Sequence, residues 1–261
     1  ITGLGHQHQN VLLPVHVTPL PDKAQLSGVD SGSVKEDGVI DISNTLLITD
    51  PDKGQNHFQA ASSQGKFGSF SIDTQGHWHY HLDNNSPNIQ KLNENQTLLE
   101  QFSVKSADGT EHLIKVVIVG TNDKPKLAQI SQSQAQEGGG QITGHLTATD
   151  VDSGENLSFS AHNLPDGFQL NPDGSYSFNP TDNAYNHLAQ GHQQILQIPI
   201  TVTDSKGATD TQVLKIVITG TNDLPTMTAE PPLKVNEGGT VFNGQLIATD
   251  PDTGDSLSYA Q

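Results

Sequence analysis

The feature that most constrains this chain is a spacing. Gly120-Thr121-Asn122-Asp123-Lys124-Pro125 recurs 100 residues later as Gly220-Thr221-Asn222-Asp223-Leu224-Pro225. Thr49-Asp50-Pro51-Asp52-Lys53-Gly54, Thr149-Asp150-Val151-Asp152-Ser153-Gly154 and Thr249-Asp250-Pro251-Asp252-Thr253-Gly254 keep the same interval of 100, as do Glu137 and Glu237, with Glu36 one residue off. Separate features that share one period mean repeated units, and a unit of about 100 residues is the size of a domain. Pro125 and Pro225 open new units, where the residue before a proline favours extended backbone. Whole units are therefore expected at 22–123 and 124–223, with 224–261 the opening of a third. Residues 1–21 read as the remnant of a preceding unit, since Gly5-His6-Gln7-His8-Gln9-Asn10-Val11-Leu12-Leu13-Pro14-Val15-His16-Val17-Thr18 resembles the run from Gly191 to Thr203. On this reading both ends are cut from a longer array.

Within a unit the local pattern is that of strands. Apolar and polar residues alternate in Phe70-Ser71-Ile72, Trp78-His79-Tyr80-His81-Leu82, Tyr176-Ser177-Phe178, Ile198-Pro199-Ile200-Thr201-Val202 and Lys215-Ile216-Val217-Ile218, and Asp-Gly and Asn-Pro turn signals separate the runs. About seven short strands per 100 residues is the sandwich pattern, so the expected fold class is all-β, a tandem of Ig-like β-sandwich repeats. One helical turn is expected near residues 92–99.

Cysteine is absent and only 32% of residues are hydrophobic, so thin cores must be held by something other than disulfides; a metal ion is the expected substitute. Acidic residues number 29 against 12 basic, a formal charge of −17, which argues against nucleic acid or an anionic membrane as partner and for cations. No apolar run nears the roughly 20 residues of a spanning helix. Asp150 and Asp152 stand two residues apart before Gly154 and Asn156, and Asp50, Asp52, Gly54 and Asn56 repeat the arrangement. A hard cation such as calcium takes six to eight oxygens, which paired Asp residues on a tight loop supply. Asp, Gly and Asn also make ordinary turns. One copy does not separate the two readings, whereas three in register with an Asn-Asp linker favour ligands. In the third copy Ser256 replaces the Asn, so that site is expected to lose a ligand.

The run from Asn236-Glu237-Gly238-Gly239 to Asp250-Pro251-Asp252-Thr253-Gly254 resembles the opening of a cadherin repeat, in which a Glu near the first strand precedes an Asp-x-Asp-x-Gly-x-Asn loop. The Gly65 to Asp73 stretch, Gly76-His77-Trp78-His79-Tyr80 and Gly120 to Pro125 are similar to the VCBS-type, bacterial cadherin-like repeats of large secreted adhesins of the RTX type. This resemblance implies calcium at the joints between units, held by an upstream Glu, the linker and the downstream Asp loop. Carried over by position, the first joint has Glu36, Asn122, Asp123, Asp150, Asp152 and Asn156, with Asp204 as a further ligand. The second has Glu137, Asn222, Asp223, Asp250 and Asp252, and Asp50, Asp52 and Asp108 form the downstream half of another. The linker is shorter than the usual cadherin Asp-x-Asn-Asp-Asn, which implies one or two ions per joint.

His77, His79 and His81 alternate with apolar residues and so share one strand face. Imidazoles bind zinc or nickel, but a solvated sheet face is the simpler reading, because the matching strand Ser175-Tyr176-Ser177-Phe178-Asn179 is merely polar there. No cysteine nucleophile, Gly-x-Ser-x-Gly elbow, phosphate-binding glycine loop or His-Glu-x-x-His occurs. Carboxylates repeated at every joint argue for architecture rather than catalysis. The expected function is a non-catalytic, calcium-rigidified extender of a large bacterial surface or secreted adhesin serving cell adhesion or biofilm formation. Its partners are neighbouring repeats of the same chain, with any cell-surface glycan or protein ligand engaged through other domains. The alternative is a carbohydrate- or peptide-binding module, for which exposed loop aromatics would be the mark, with Tyr185 and Phe58 as candidates.

Overall fold

The computed structural model describes residue 14 and residues 20–228, 237–239 and 244–259, so the strand expected in 5–18 lies outside the described residues. No described residue is helical; the turn expected at 92–99 is a loop that runs directly into a strand from Thr97. The described residues form two compact units, 20–89 with 96–119, and 90–95 with those from 120 onward.

In the first unit eight strands make two sheets. Strands β1 (Gln25–Gly28), β3 (Asp41–Thr49), β6 (His77–Leu82), β5 (Gly68–Ile72) and β4 (Ala61–Gln64) lie in that order in one sheet, and β2 (Ser31–Lys35), β8 (Glu111–Val119) and β7 (Thr97–Lys105) in the other. Alternation decides which side chains enter the space between them. On β6 Trp78, Tyr80 and Leu82 are buried while the three histidines are exposed. Burying each such apolar side chain is worth about 1.5–3 kcal/mol. Phe70 from one sheet stacks on Phe102 from the other, with ring centroids 4.5 Å apart, so the sheets face each other across an aromatic core.

The second unit repeats the plan. Its four-stranded sheet runs β10 (Ser133–Gln136), β17 (Thr209–Thr219), β16 (Gln193–Thr203), β13 (Ser158–Ala161), and its three-stranded sheet runs β11 (Ile142–His145), β15 (Ser175–Phe178), β14 (Phe168–Leu170). Between them lies a core that includes Phe168, Phe178, Ile198, Ile200, Val202, Leu214 and Ile216. Two further short pairs are β9 (Lys126–Leu127) with β12 (Ala148–Thr149), and β18 (Thr226–Met227) with β19 (Ala248–Thr249). Lys126 faces Thr149 and Thr226 faces Thr249, so the third copy of the repeat opens in the register of the second. The repeats differ at the third long connection, where β4 pairs with β5 but β13 pairs with β16.

Two pairings position the acidic motifs. β2 runs parallel to β8 and β10 parallel to β17, which sets the residue after β10 beside the end of β17: the Glu137 N–H donates to Thr219 O at 3.0 Å. The Glu36 N–H likewise donates to Val119 O at 2.9 Å. The β9–β12 and β18–β19 ladders hold each linker against its own Asp loop.

Both aromatic residues offered as loop ligand contacts belong to the core, Phe58 at 0% and Tyr185 at 2% exposure. The Tyr185 hydroxyl donates to Asp166 O at 2.7 Å and its ring meets Phe178 edge-on. Burial, with Asp166 and Asp182 adding repulsion, pushes its pKa up to about 12. The folded chain therefore keeps a proton that the unfolded chain releases from pH 10.0 upward, and stability is lost as pH rises through about 12. Tyr185→Phe is expected to cost about 1 kcal/mol at neutral pH and to reduce that alkaline loss, as read by thermal melts across this range.

Candidate metal centre

Each Asp loop is shaped by its own first carboxylate. The Asp52 N–H donates to Asp50 Oδ1 at 2.8 Å, the Asp152 N–H to Asp150 Oδ1 at 2.9 Å, and the Asp252 N–H to Asp250 Oδ1 at 3.0 Å. Gly54, Gly154 and Gly254 then turn the chain at φ of 85, 75 and 93°. Nothing lies within 4 Å of where a Cβ would stand at any of the three, so backbone conformation rather than lack of space demands glycine there.

The second carboxylate of the loop receives the linker. The Asp123 N–H donates to Asp152 Oδ2 at 2.8 Å, and the Asp223 N–H donates to Asp252 Oδ2 at 2.9 Å. In the first unit the Asp22 N–H takes the same role toward Asp52 Oδ2 at 3.0 Å. Glu137 reaches the linker of the Asp223–Asp252 pair through the parallel β10–β17 pairing, its Oε2 accepting the Thr221 N–H at 2.9 Å. Asn122 donates from Nδ2 to Asp204 Oδ2 at 2.8 Å, and Asp204 Oδ1 accepts the N–H groups of Lys206 and Ala208.

These bonds use one side of the groups and leave the other bare. Asp50 Oδ2, Asn122 Oδ1, Asp150 Oδ2 and Asp152 Oδ1 are buried and make no hydrogen bond, and the same holds for Glu137 Oε1, Asp223 Oδ2 and Asp252 Oδ1. Burial alone does not produce this. Glu100 is buried to a similar degree, yet it accepts bonds from the Tyr80 hydroxyl and from the N–H groups of Lys66 and Phe67. Carboxylate oxygens held out of water with no donor are costly unless a cation meets them. The strain registers in the acidities. Burial, and then the charges of Asp150, Glu155 and Asp204, raise the Asp152 pKa; burial, and then Asp223 and Asp252, raise that of Glu137. Asp204, although burial pushes it upward, stays low because of Asn122 and three backbone N–H groups. The donor set is all oxygen and mostly anionic, which fits calcium and not a softer ion.

Position by position, the sequence-derived ligands separate into groups. Asp123 is bonded to Asp152 and Asp152 to Asp150, while the neighbouring Asn122 is bonded to Asp204; Asp223 is bonded to Asp252 and Asp252 to Asp250, while Glu137 is bonded to Thr221, two residues before Asp223. Asn156 and Asn222 lie exposed. Glu36 belongs to the first unit and is fully buried there. Asp108 is engaged by Ser106 Oγ, Thr110 N–H and Oγ1, and Ala24 N–H, which hold its carboxyl far below the usual range. Its position differs from that of Asp204: the Ser106 N–H bonds Thr110 O as the Asp204 N–H bonds Ala208 O, so Ser106 is the counterpart of Asp204.

Beside Ser256, whose exchange for Asn was expected to cost the third loop a ligand, stands a further carboxylate, Asp255. Carboxylate oxygens of Asp250, Asp252 and Asp255 lie within 4.8 Å of one another. The signal was in the repeat, since Gln55, Glu155 and Asp255 occupy one position and Glu155 accepts the Ser205 N–H at 3.1 Å. His187 was also missed; its carbonyl accepts the Thr253 N–H, as Lys91 O accepts that of Ser153.

Two tandem sandwiches, with an acidic loop repeated every 100 residues, define a cadherin-like protein. The bacterial cadherin-like domain profile matches residues 21–120 and 122–220, and the chain belongs to that family. Among solved structures, mouse cadherin-23 EC22-24 is similar with a TM-score of 0.52 at 17% identity, covering 88% of this chain and 78% of its own. Protocadherin gamma B2 domains 1-5 gives 0.50 at 17% identity, covering 87% and 45%. Protocadherin gamma B7 domains 1-4 gives 0.45 at 14% identity over 86% of this chain, which spans 59% of that structure. No curated protein sequence matches the chain.

The bare carboxylates predict opposite effects for one substitution. Asp152→Asn keeps an acceptor for the Asp123 N–H and removes a buried charge, so in chelator it is expected to raise stability by about 1 kcal/mol, or roughly 4–8 °C for a domain of this size. In excess calcium the same variant is expected to melt below the wild type, as calorimetry of both proteins in both conditions would show.

Proposed function

We propose that the chain is a non-catalytic extender of a bacterial surface or secreted adhesin, in which calcium stiffens the joints between sandwich repeats. The observation that carries this reading is the set of buried, unbonded oxygens on Glu137, Asp223 and Asp252, together with those on Asn122, Asp150 and Asp152, of which Asp152 and Asp252 occupy one repeat position. Calcium would supply the positive charge these oxygens lack. Asp150 and Asp152, and likewise Asp250, Asp252 and Asp255, would hold it from the loop, while Asn122, Asp123 and Asp204, or Glu137 and Asp223, would hold it from the linker side. Asp50 and Asp52 would do the same for the first whole repeat.

The chain's own residues explain why an ion would govern stiffness. Thr221-Asn222-Asp223 has no apolar side chain with which to weld repeats together, and the carboxylates meeting there repel one another until neutralised. Export would suit such a device, since a chain leaving a calcium-poor cytoplasm would straighten on meeting calcium outside. Family membership supports an extracellular adhesion or extender module, and the role in biofilm formation and the RTX type of the parent adhesin remain part of this proposal.

Calcium that binds only the folded state stabilises it by about 2.7 kcal/mol at a hundredfold excess over the dissociation constant. A matching rise in melting temperature, lost in chelator, is expected. Solution scattering of the wild type and of a variant with Asp150, Asp152, Asp250 and Asp252 all changed to Ala should show a calcium-dependent loss of flexibility in the first only. Equal flexibility with and without calcium in the wild type would refute the extender mechanism.

A further inference from the structure

One face of each sandwich repeats more closely than packing requires. On the outer side of the β7–β8 hairpin Leu99 faces Val117, Gln101 faces Lys115 and Ser103 faces Leu113. On that of β16–β17 Ile195 faces Val217, Gln197 faces Lys215 and Pro199 faces Val213. Leu113, Lys115 and Val117 stand 100 residues before Val213, Lys215 and Val217, so one constellation recurs in register: an aliphatic pair, then a Gln–Lys pair, then a further aliphatic residue. Alternation sends Ile114, Val116 and Ile118, or Leu214, Ile216 and Ile218, into the cores, whereas Leu99, Leu113, Ile195 and Val213 are 42–56% exposed. Strand propensity suits the valines, but it does not account for a glutamine and a lysine kept opposite each other between them. The outer face of the other sheet is not kept in this way: β6 presents His77, His79 and His81, with Asp41 2.8 Å from His81, where β15 presents Ser175 and Ser177.

The same face runs against the charge of the chain. Acidic residues outnumber basic ones 29 to 12, yet the outward positions of β2, β7 and β8 hold Lys35, Lys105 and Lys115 against one acid, Glu111. Those of β10, β13, β16 and β17 hold Lys215 and no acid. Lys105 Nζ is paired with Glu111 Oε1 at 2.9 Å, and Asp30, at the start of β2, is turned to His112. Among the described residues no carboxylate pairs with Lys35, Lys115 or Lys215. Each face therefore offers an uncompensated ammonium, an amide beside it and an aliphatic patch next to both.

We propose that these two faces each bind a polysaccharide whose sugars carry carboxylates. Lys115 or Lys215 pairs with a carboxylate in a charge-assisted hydrogen bond, the facing Gln101 or Gln197 bonds ring hydroxyls, and Leu99 with Val117, or Ile195 with Val217, covers the apolar C–H side of a sugar. The nine residues of β7 extend about 30 Å, an open and nearly flat surface that suits an extended polymer. The same face of a second copy is a poor occupant, because lysines would meet lysines with only Glu111 to answer them. Duplex nucleic acid carries a charge about every 1.7 Å and needs many more cations than these faces hold. The aromatic anchors of a protein interface are absent from the outward positions. A single exposed ion pair is weak, and recurrence of the face in each repeat compensates, since a polymer held at several places is released only when all of them let go.

The test is affinity electrophoresis of the untagged 261-residue chain in excess calcium, through gels that carry hyaluronate, which has one glucuronate in every disaccharide, or dextran, polyglutamate or duplex DNA. Hyaluronate is expected to retard the chain, less so at high salt, and the other three are not. Lys115→Gln with Lys215→Gln should weaken hyaluronate binding at least about fivefold, and Leu99→Ser with Ile195→Ser about 3–10-fold. Lys66→Gln with Lys126→Gln removes the same charge from exposed lysines outside the two faces and should leave binding within about twofold. Melting temperatures within about 3 °C of the wild type, expected for exposed positions, separate lost binding from lost folding. No retardation by hyaluronate, or equal retardation by dextran, or equal weakening by the Lys66 and Lys126 pair, would overturn the assignment. Equal or tighter binding of polyglutamate or DNA would overturn it too, as would a dimer of the chain alone that the Lys115 and Lys215 pair of substitutions dissolves in sedimentation. None of these outcomes depends on whether calcium stiffens the joints.

Discussion

A carboxylate oxygen that is buried and has no donor is costly, and this chain keeps several of them at corresponding places in its repeats. Asp152 shows the arrangement in miniature: Oδ2 is tied to the linker through the Asp123 N–H while Oδ1 is bare. The repeat tolerates the bare oxygen because the sandwich behind it is anchored by its own core, so the acidic end does not have to stabilise the fold by itself. Glu100 supplies the contrast, since in the interior of the first sandwich the fold provides a hydroxyl and two backbone N–H groups to one carboxylate. Where the protein needs a carboxylate for structure it satisfies it; on the Asp loops it leaves buried carboxylate oxygens without a donor.

That division sorts the chemistry of the molecule. Hard, anionic oxygens concentrate on the loops and linkers, where glycines with positive φ let the chain fold back on itself. Borderline nitrogen donors concentrate on the open face of one sheet in the first sandwich. The sheet face is free to diverge between repeats because its residues carry no part of the core. The serines at 175 and 177 illustrate how readily that face changes while Tyr176 and Phe178 keep the buried register.

The repeats also differ where selection on the core is weak. Ser106 stands at the place of Asp204, and Asp108 closes its own turn instead; in the third loop, where Ser256 replaces Asn, Asp255 adds a carboxylate near Asp250 and Asp252. Exchanges of this kind keep the local oxygen supply while moving it by a residue or two, which a motif read at fixed offsets does not follow.

The sequence alone determined the period of 100, the all-strand character and the inward face of the strands that alternate, such as 78–82 and 198–202, because hydrophobic alternation and turn chemistry are local and repeat along the chain. It also marked the Asp loops, since Asp-x-Asp-x-Gly is a local arrangement whose hydrogen bonds close within three residues. Only the tertiary structure decided which distant groups meet them. Glu137 reaches Thr221 across 84 residues because β10 runs parallel to β17, and pairing between strands far apart in the chain leaves no short-range signature. The same reason hid Asp41 from the histidines: at 40 residues' separation from His81, only the β3–β6 register brings them onto one face. Phe58 and Tyr185, flanked by turn residues, carry loop signals in the sequence, and their burial follows from the core that the packed sheets build around them.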